Sequence, residues 1–302
     1  MSIRKIGTGI LSIFLSLGLV ACAQNEPVKE PVKLLVPTGA PALSVLGAFD
    51  EENVQVDTVN GTDILMSELA KKDSEYDMIV APTNLGVKIY EKTQAFSLAS
   101  VLTWGNLYMV GDPNATIETA SIAAFGQQAV PGLVLNQVYD TANMNITYYN
   151  SVQEAQQALL TGKSEVSLLA QPIAAATIAK AKEMNKELTV LSNLQTLWQE
   201  KTGSETLGYP QASLFIKTGS QEKVNYVLDE IADFLEDVEP EDIEETIEEV
   251  GVETLGIPNA QLAVKTWEAQ NIRYVKASQA KTEIESFLKL FQMECPKDIF
   301  VD

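Results

Sequence analysis

The sequence has no histidine among its 302 residues and only two cysteines. Histidine is the commonest general base near neutral pH and the commonest ligand of transition metals, so the usual acid–base and zinc chemistries lack their main side chain. The sequence also lacks a phosphate-binding P-loop, a dinucleotide fingerprint and a cluster of metal-ligating residues. We therefore predict that the protein is not an enzyme, and we expect no catalytic residue, no metal site and no cofactor.

Positive charge is also scarce, because 21 lysines and arginines stand against 41 aspartates and glutamates and the formal net charge is −20. Such a surface repels nucleic acid and anionic lipid headgroups, so we expect no nucleic-acid partner. Arginine occurs only as Arg4 and Arg273. Arginine binds anionic groups with two parallel N–H donors, so its scarcity is evidence against a binding site for a tightly held sulfonate, nitrate or phosphate.

The start of the chain has the pattern of an exported and anchored protein. Arg4 and a neighbouring lysine precede an apolar run at residues 10–20, which is too short to span a bilayer and leads into LVAC. This ending resembles a bacterial lipobox, in which Cys22 is acylated and becomes the new N-terminus. We predict a lipoprotein signal peptide at 1–21, a lipidated tether at 22–31 and attachment by the lipid to the outer face of the bacterial cell membrane, or on the periplasmic side. The alternative is an ordinary signal peptide with a chance cysteine.

Two halves of the chain repeat one pattern with an offset of 90 residues. Pro82 closes YDMIVAP and Pro172 closes SLLAQP, while Pro41 and Pro131 match at the same offset. In both halves a strand leads to a proline joint, a helix and a second strand, followed by an amphipathic helix and a third strand. Alternating strands and helices predict parallel sheets with helices on both faces. Chance agreement of the two phases is the alternative.

The proline joints follow strands at four places in the sequence. Proline suits the first turn of a helix, where its missing N–H would have no partner, and the neighbouring free N–H groups point beyond the carboxyl ends of the strands. Ligands of open α/β sheets bind at that edge. Two such edges facing each other would form a cleft, whereas the simpler interpretation is a set of tight strand-to-helix turns.

Five motifs carry a resemblance to a known family. They are VPTGAPAL, YDMIVAPTN, LLAQPIAAA, YPQASLFI and the C-terminal IRYVKASQAKTEIESFLKLF. Together with the lipobox they resemble type II solute-binding lipoproteins of ABC importers, in the branch associated with nitrate, taurine, other sulfonates and thiamine precursors. The resemblance implies an α/β, two-lobed type II periplasmic-binding-protein fold, in which each lobe is a mostly parallel sheet flanked by helices.

The same resemblance implies how the chain is divided and where a ligand would bind. Lobe one would comprise 31–108 plus 212–302 and lobe two 109–211, joined by two crossing strands at 97–110 and 212–217. The ligand-facing candidates are Thr38, Gly39, Thr62, Thr83, Asn84, Trp104, Asn106, Phe125, Gln127, Gln128, Gln171 and Tyr209. Trp104 has two open interpretations, since a tryptophan beside a crossing strand either stacks on a ligand or packs in the core.

A family of this kind binds a small molecule between its lobes and delivers it to the permease subunits of an ABC importer. We expect the protein to be a monomer that does so. Because Arg273 lies outside the expected cleft loops and Lys88 lies further along its helix, we predict a neutral or weakly charged organic ligand, for example a heteroaromatic vitamin precursor. The open alternatives are a ligand sensor for a membrane receptor, an enzyme on the same fold, and a receptor for a sulfonate- or nitrate-type anion.

Overall fold

The computed structural model describes residues 29–301, which form two β-sheets flanked by helices. The predicted signal peptide, Cys22 and the tether up to residue 28 lie outside the described residues. Within the described range, no helix has the length and apolarity that crossing a bilayer requires.

The strands, in chain order, are β1 (Val32–Pro37), β2 (Val54–Val59), β3 (Met78–Pro82), β4 (Phe96–Thr103), β5 (Leu107–Gly111), β6 (Ser121–Phe125), β7 (Asn145–Tyr149), β8 (Val166–Ala170), β9 (Thr189–Asn193), β10 (Ala212–Lys217) and β11 (Ile272–Lys276). The α-helices are α1 (Ala40–Leu43), α2 (Leu46–Phe49), α3 (Asp63–Leu69), α4 (Thr83–Thr93), α5 (Val130–Val138), α6 (Val152–Leu160), α7 (Ile173–Glu183), α8 (Leu194–Thr202), α9 (Gln221–Asp237), α10 (Pro240–Val250), α11 (Val252–Leu255), α12 (Ala260–Lys265), α13 (Trp267–Gln270) and α14 (Lys281–Leu288). Two 3₁₀ turns lie at Thr141–Asn143 and Lys289–Phe291.

The two sheets share one strand arrangement. The first has the order β11-β4-β10-β3-β1-β2 and the second the order β7-β6-β8-β5-β9. In the first sheet β1 is parallel to β2 and β3, and in the second β6 is parallel to β7 and β8. Strands β6, β7 and β8 start within two residues of the positions that the 90-residue offset assigns to β1, β2 and β3. The predicted repeat and the α/β fold class are therefore confirmed.

Each sheet also contains a strand whose antiparallel direction the sequence patterns did not predict. Strand β10 pairs antiparallel with β3 and β4, and β5 pairs antiparallel with β8 and β9. Strand β11 is also antiparallel to β4. Both sheets are therefore mixed, with four strands of each running in one direction.

The chain crosses between the sheets twice. Strand β4 ends in the first sheet at Thr103 and β5 begins in the second at Leu107, so the predicted boundary after residue 108 falls inside β5. We call residues 104–106 the first crossing segment. The chain returns after α8, and residues 207–211, the second crossing segment, lead into β10.

The proline joints lie where the sequence placed them, at the start of helices. Pro41 and Pro131 occupy the first turns of α1 and α5, while Pro82 and Pro172 take the N-cap positions of α4 and α7. Each joint therefore ends a strand at the carboxyl edge of its sheet. The fold therefore places four helix N-termini at the carboxyl edges of the two sheets, where most of the candidate residues also lie.

Candidate ligand-binding site between the two sheets

Three of the predicted residues belong to one hydrogen-bond network between the sheets. Asn106 of the first crossing segment donates from Nδ2 to the carbonyl of Gln171, 3.0 Å away, and the Gln171 amide donates back to the Asn106 carbonyl at 3.0 Å. On the other side, the Thr83 amide donates to the carbonyl of Gln211 at 3.1 Å, and Gln211 Nε2 donates to Asn106 Oδ1 at 3.1 Å. The network therefore joins the carboxyl end of β3 to that of β8.

Gln211 is a member of this network that the sequence analysis missed. It lies in the YPQASLFI motif, but only its position immediately before β10 could have pointed to it. Its amide donates to the carbonyl of Thr103 at 2.9 Å, so its backbone bridges the ends of β3 and β4. Asn84, next to Thr83, has a buried Oδ1 without a hydrogen-bond partner among residues 29–301.

The loop after β1 forms a second polar group at the edge of the first sheet. Thr38 Oγ1 donates to Asn60 Oδ1 at 2.8 Å, and the Gly39 amide donates to the carbonyl of Leu255 at 2.8 Å. Gly39 has a φ of 89°, in the region that glycine adopts without strain. Thr62, at the N-cap of α3, is exposed. This edge of the first sheet therefore presents hydroxyl and amide groups, and no charged side chain takes part in these two hydrogen bonds.

The candidate ligand-binding residues of the second sheet share fewer hydrogen bonds with the rest of the site. Gln127 and Gln128 are exposed in the turn between β6 and α5, while Phe125 is half-buried and packs against the core of the second sheet. Gln171 is 7% exposed and accepts a hydrogen bond from the Ala175 amide at Oε1. The structure thus brings Gln171 into the network and leaves Gln127 and Gln128 free to face solvent.

Trp104 and Tyr209 are buried members of two hydrophobic cores, Trp104 in that of the first sheet and Tyr209 in that of the second. Trp104 is 1% exposed, and the guanidinium of Arg273 lies 4.4 Å from its ring centroid. Tyr209 is fully buried and stacks on Phe287 with ring centroids 5.8 Å apart. Both rings are therefore packed within the protein in this structure, and the Nε1 donor of Trp104 has no hydrogen-bond partner among residues 29–301.

The crossing segments bury these rings because a glycine accompanies each one. A Cβ on Gly105 would lie 2.7 Å from the Tyr209 ring, and a Cβ on Gly208 would lie 1.8 Å from the Trp104 carbonyl oxygen. The backbone at Gly105 therefore lies directly against the Tyr209 ring, and the backbone at Gly208 lies directly against the Trp104 carbonyl, so neither position has room for a side chain. The Trp104 carbonyl accepts hydrogen bonds from the Tyr209 amide at 3.1 Å and from Asn271 Nδ2 at 2.6 Å.

Arg273 is held at this crossing. Its guanidinium donates to the Leu207 carbonyl at 3.0 Å and to Asn271 Oδ1, and burial lowers its pKa to about 10. Two of its five N–H donors and its ring contact are thus used within the protein, which ties Arg273 to the crossing segments.

Solved structures with this arrangement are numerous. One is an ABC transporter structure from Parabacteroides distasonis, with a TM-score of 0.76 and 21% identity over 90% of this chain and 99% of that one. Another is the periplasmic aliphatic sulphonate binding protein of Escherichia coli, with a TM-score of 0.61 and 13% identity over 88% and 87%. The alkanesulfonate-binding protein of Xanthomonas axonopodis pv. citri, bound to MOPS, has a TM-score of 0.56 and 14% identity over 90% and 97%.

The chain has the two-lobed periplasmic-binding-protein fold. At these identities the likeness concerns the fold alone, and no protein-family model or curated protein matches the sequence. The predicted architecture is thereby confirmed, and the first lobe contains the first sheet while the second lobe contains the second sheet.

A separate groove lies on the outer face of the first lobe. It is lined by Asp50, Asp233, Phe234, Asp237, Val238, Asp242, Glu245, Thr246 and Glu249. Burial, and then the neighbouring Glu249, raise the pKa of the Asp50 carboxyl. None of the lining residues belongs to a crossing segment or to a strand end at the cleft, so this acidic groove is apart from the candidate site.

Proposed function

We propose that this protein is the substrate-binding lipoprotein of an ABC importer. It captures a small neutral or weakly charged organic solute between its lobes and delivers it to a membrane permease. The observation that carries the proposal is the network of Thr83, Gln211, Asn106 and Gln171, because it places neutral backbone and side-chain amide groups where the ligand edges of both sheets meet. Such groups orient a ligand by hydrogen bonds and supply no catalytic side chain.

The charge of the ligand is inferred from the cations that surround this network. Arg273 is engaged with Trp104, Leu207 and Asn271, and Lys88 is exposed on α4 beyond its first turn. The neighbours from Escherichia coli and Xanthomonas are described as binding sulfonates, and a sulfonate in the present protein would have to rely on backbone N–H groups instead of an arginine. A neutral heterocycle, such as a vitamin precursor, fits the amides better.

Ligand capture is tested by native mass spectrometry of gently purified protein together with small-angle scattering. We expect a co-purified small molecule, whose removal increases the radius of gyration and whose return restores the compact profile, since ligand binding favours the closed form of a two-lobed protein. A scattering profile that does not change when the ligand is removed or returned would contradict closure of the two lobes. A permease gene beside the gene for this protein would favour transport over sensing.

Membrane attachment is tested by the Cys22→Ser variant. We expect the variant to appear in the soluble fraction of cell envelopes, while the parent protein stays with the membrane, because the proposed lipid on Cys22 is the anchor. Mass spectrometry of the intact protein should show an acyl mass in the parent and none in the variant. Unchanged membrane association of the variant after a salt wash would refute the lipoprotein proposal.

A further inference from the structure

A relay of amide groups ends in a buried acceptor at the floor of the proposed cleft. The relay runs from the Gln171 carbonyl through Asn106 Nδ2 and Oδ1 to Gln211 Nε2. The last atom, Gln211 Oε1, is buried and has no hydrogen-bond partner among residues 29–301. Buried acceptors are nearly always paired in native proteins, so an unpaired one calls for a specific explanation.

The orientation of the Gln211 side chain follows from its partners. A backbone carbonyl only accepts hydrogen bonds, so the Gln171 carbonyl requires Nδ2 of Asn106, which turns Oδ1 towards Gln211. That oxygen in turn requires Nε2 of Gln211, and Oε1 is left on the other side. Rotating either amide by half a turn would place two acceptors or two donors against each other. The unpaired atom is therefore an oxygen.

Gln211 Oε1 lies close to the sheet edges at which the proposed ligand would bind. The backbone of Gln211 is fixed by the Thr83 amide on one side and the Thr103 carbonyl on the other, at the carboxyl end of β3 and the end of β4. Its side chain reaches Asn106, which is bonded to the end of β8. Gln211 Oε1 thus lies where the two lobes meet at their ligand edges.

We propose that Gln211 is a specificity-determining residue whose Oε1 accepts a hydrogen bond from the ligand. This inference rests on the proposed function and narrows its substrate class: the ligand carries an N–H or O–H donor, such as an amino group, an amide or a hydroxyl, on the part that reaches the cleft floor. Nitrate and a sulfonate group present acceptors only, and an acceptor against Oε1 is repelled.

Gln270 provides a matched control within the same chain. Its Oε1 is also buried and without a partner among the described residues, and its Nε2 donates to the Ala263 carbonyl at 3.1 Å. It is the fully buried last residue of α13, and none of its side-chain hydrogen bonds reaches a crossing segment. A substitution there removes the same kind of group without touching the relay.

The test measures, by calorimetry, the binding of compound pairs that differ in one donor to the parent protein and to two variants. The pairs are 4-aminopyrimidine with 4-methylpyrimidine and nicotinamide with N,N-dimethylnicotinamide, and methanesulfonate and nitrate serve as acceptor-only probes. We expect a donor-bearing member to bind the parent protein about tenfold or more tightly than its partner, as loss of one buried hydrogen bond implies. Gln211→Met should abolish that difference, and Gln270→Met should keep it.

Two results overturn the inference. One is equal binding of both members of each pair, or binding of none of the donor-bearing compounds. The other is a response to methanesulfonate or nitrate alone, which would contradict the neutral ligand but leave the importer role standing, because a receptor for an anion would still contract on its ligand. Failure of the proposed function has a different signature, namely no co-purified compound and no contraction by scattering.

Discussion

Replacing Gly208 by alanine is expected to lower the free energy of unfolding by about 3 kcal/mol or more. The new Cβ would lie 1.8 Å from the Trp104 carbonyl oxygen and 3.0 Å from its carbonyl carbon, and the φ of 85° is strained for any residue with a side chain. Because the obstacle is backbone, no side chain can rotate away. The Trp104 carbonyl must move, which disturbs its hydrogen bonds to Tyr209 and Asn271.

Gly219 is the matched control for this prediction. It lies at the other end of β10 with a φ of 87°, and a Cβ there would have no heavy atom within 4 Å. Gly219→Ala therefore keeps the backbone strain without the collision, and we expect a loss of about 1 kcal/mol. Urea unfolding of the two variants separates the effects. Equal midpoints would mean that the crossing segments are not packed as tightly as their geometry indicates.

Local patterns were sufficient to predict the α/β class and the repeat, while the two-lobed fold was implied by the resemblance to a known family. Pro41 and Pro131, and likewise Pro82 and Pro172, mark helix starts because proline acts on its own turn, and such signals need no knowledge of distant contacts. The repeat with its 90-residue offset then gave two similar sheets. The antiparallel β5 and β10 were harder to foresee, since their direction is set by exchange between sheets and not by their apolar composition.

Distant contacts decide the orientation of the site residues. Trp104 beside Gly105 suits a ligand-stacking ring as well as a core ring, and its contact with Arg273, far along the chain, could not be read from the local pattern. Tyr209 is likewise buried by Phe287. Gln211 looked ordinary in the sequence because its partners Asn106 and Thr83 lie more than a hundred residues away.

Replacing Phe287 by alanine is expected to cost about 3–5 kcal/mol of unfolding free energy, since it removes a fully buried aromatic ring. The ring stacks on Tyr209 with an interplanar angle of 10°, and it meets Trp198 and Phe291 at their edges with centroids 6.0 Å and 5.2 Å away. Phe287 belongs to the C-terminal helix α14 but packs in the core of the second lobe. Its loss should therefore loosen the second crossing segment as well as the helix.

Leu288→Ala is the control that distinguishes a contact between lobes from ordinary core packing. Leu288 is the next residue of α14 and is also fully buried, but it packs with Ile284 in the core of the first lobe. We expect a loss of about 2–5 kcal/mol for this variant as well, so global stability does not separate the two. Hydrogen exchange does, because local opening reports on the elements that lose contacts. Phe287→Ala should speed exchange in α8 and in residues 207–211, whereas Leu288→Ala should speed it in α4 and β4. If both variants gave the same exchange pattern, α14 would act as a single packing unit, and the stacking of Phe287 on Tyr209 would not couple the C-terminal helix to the second lobe.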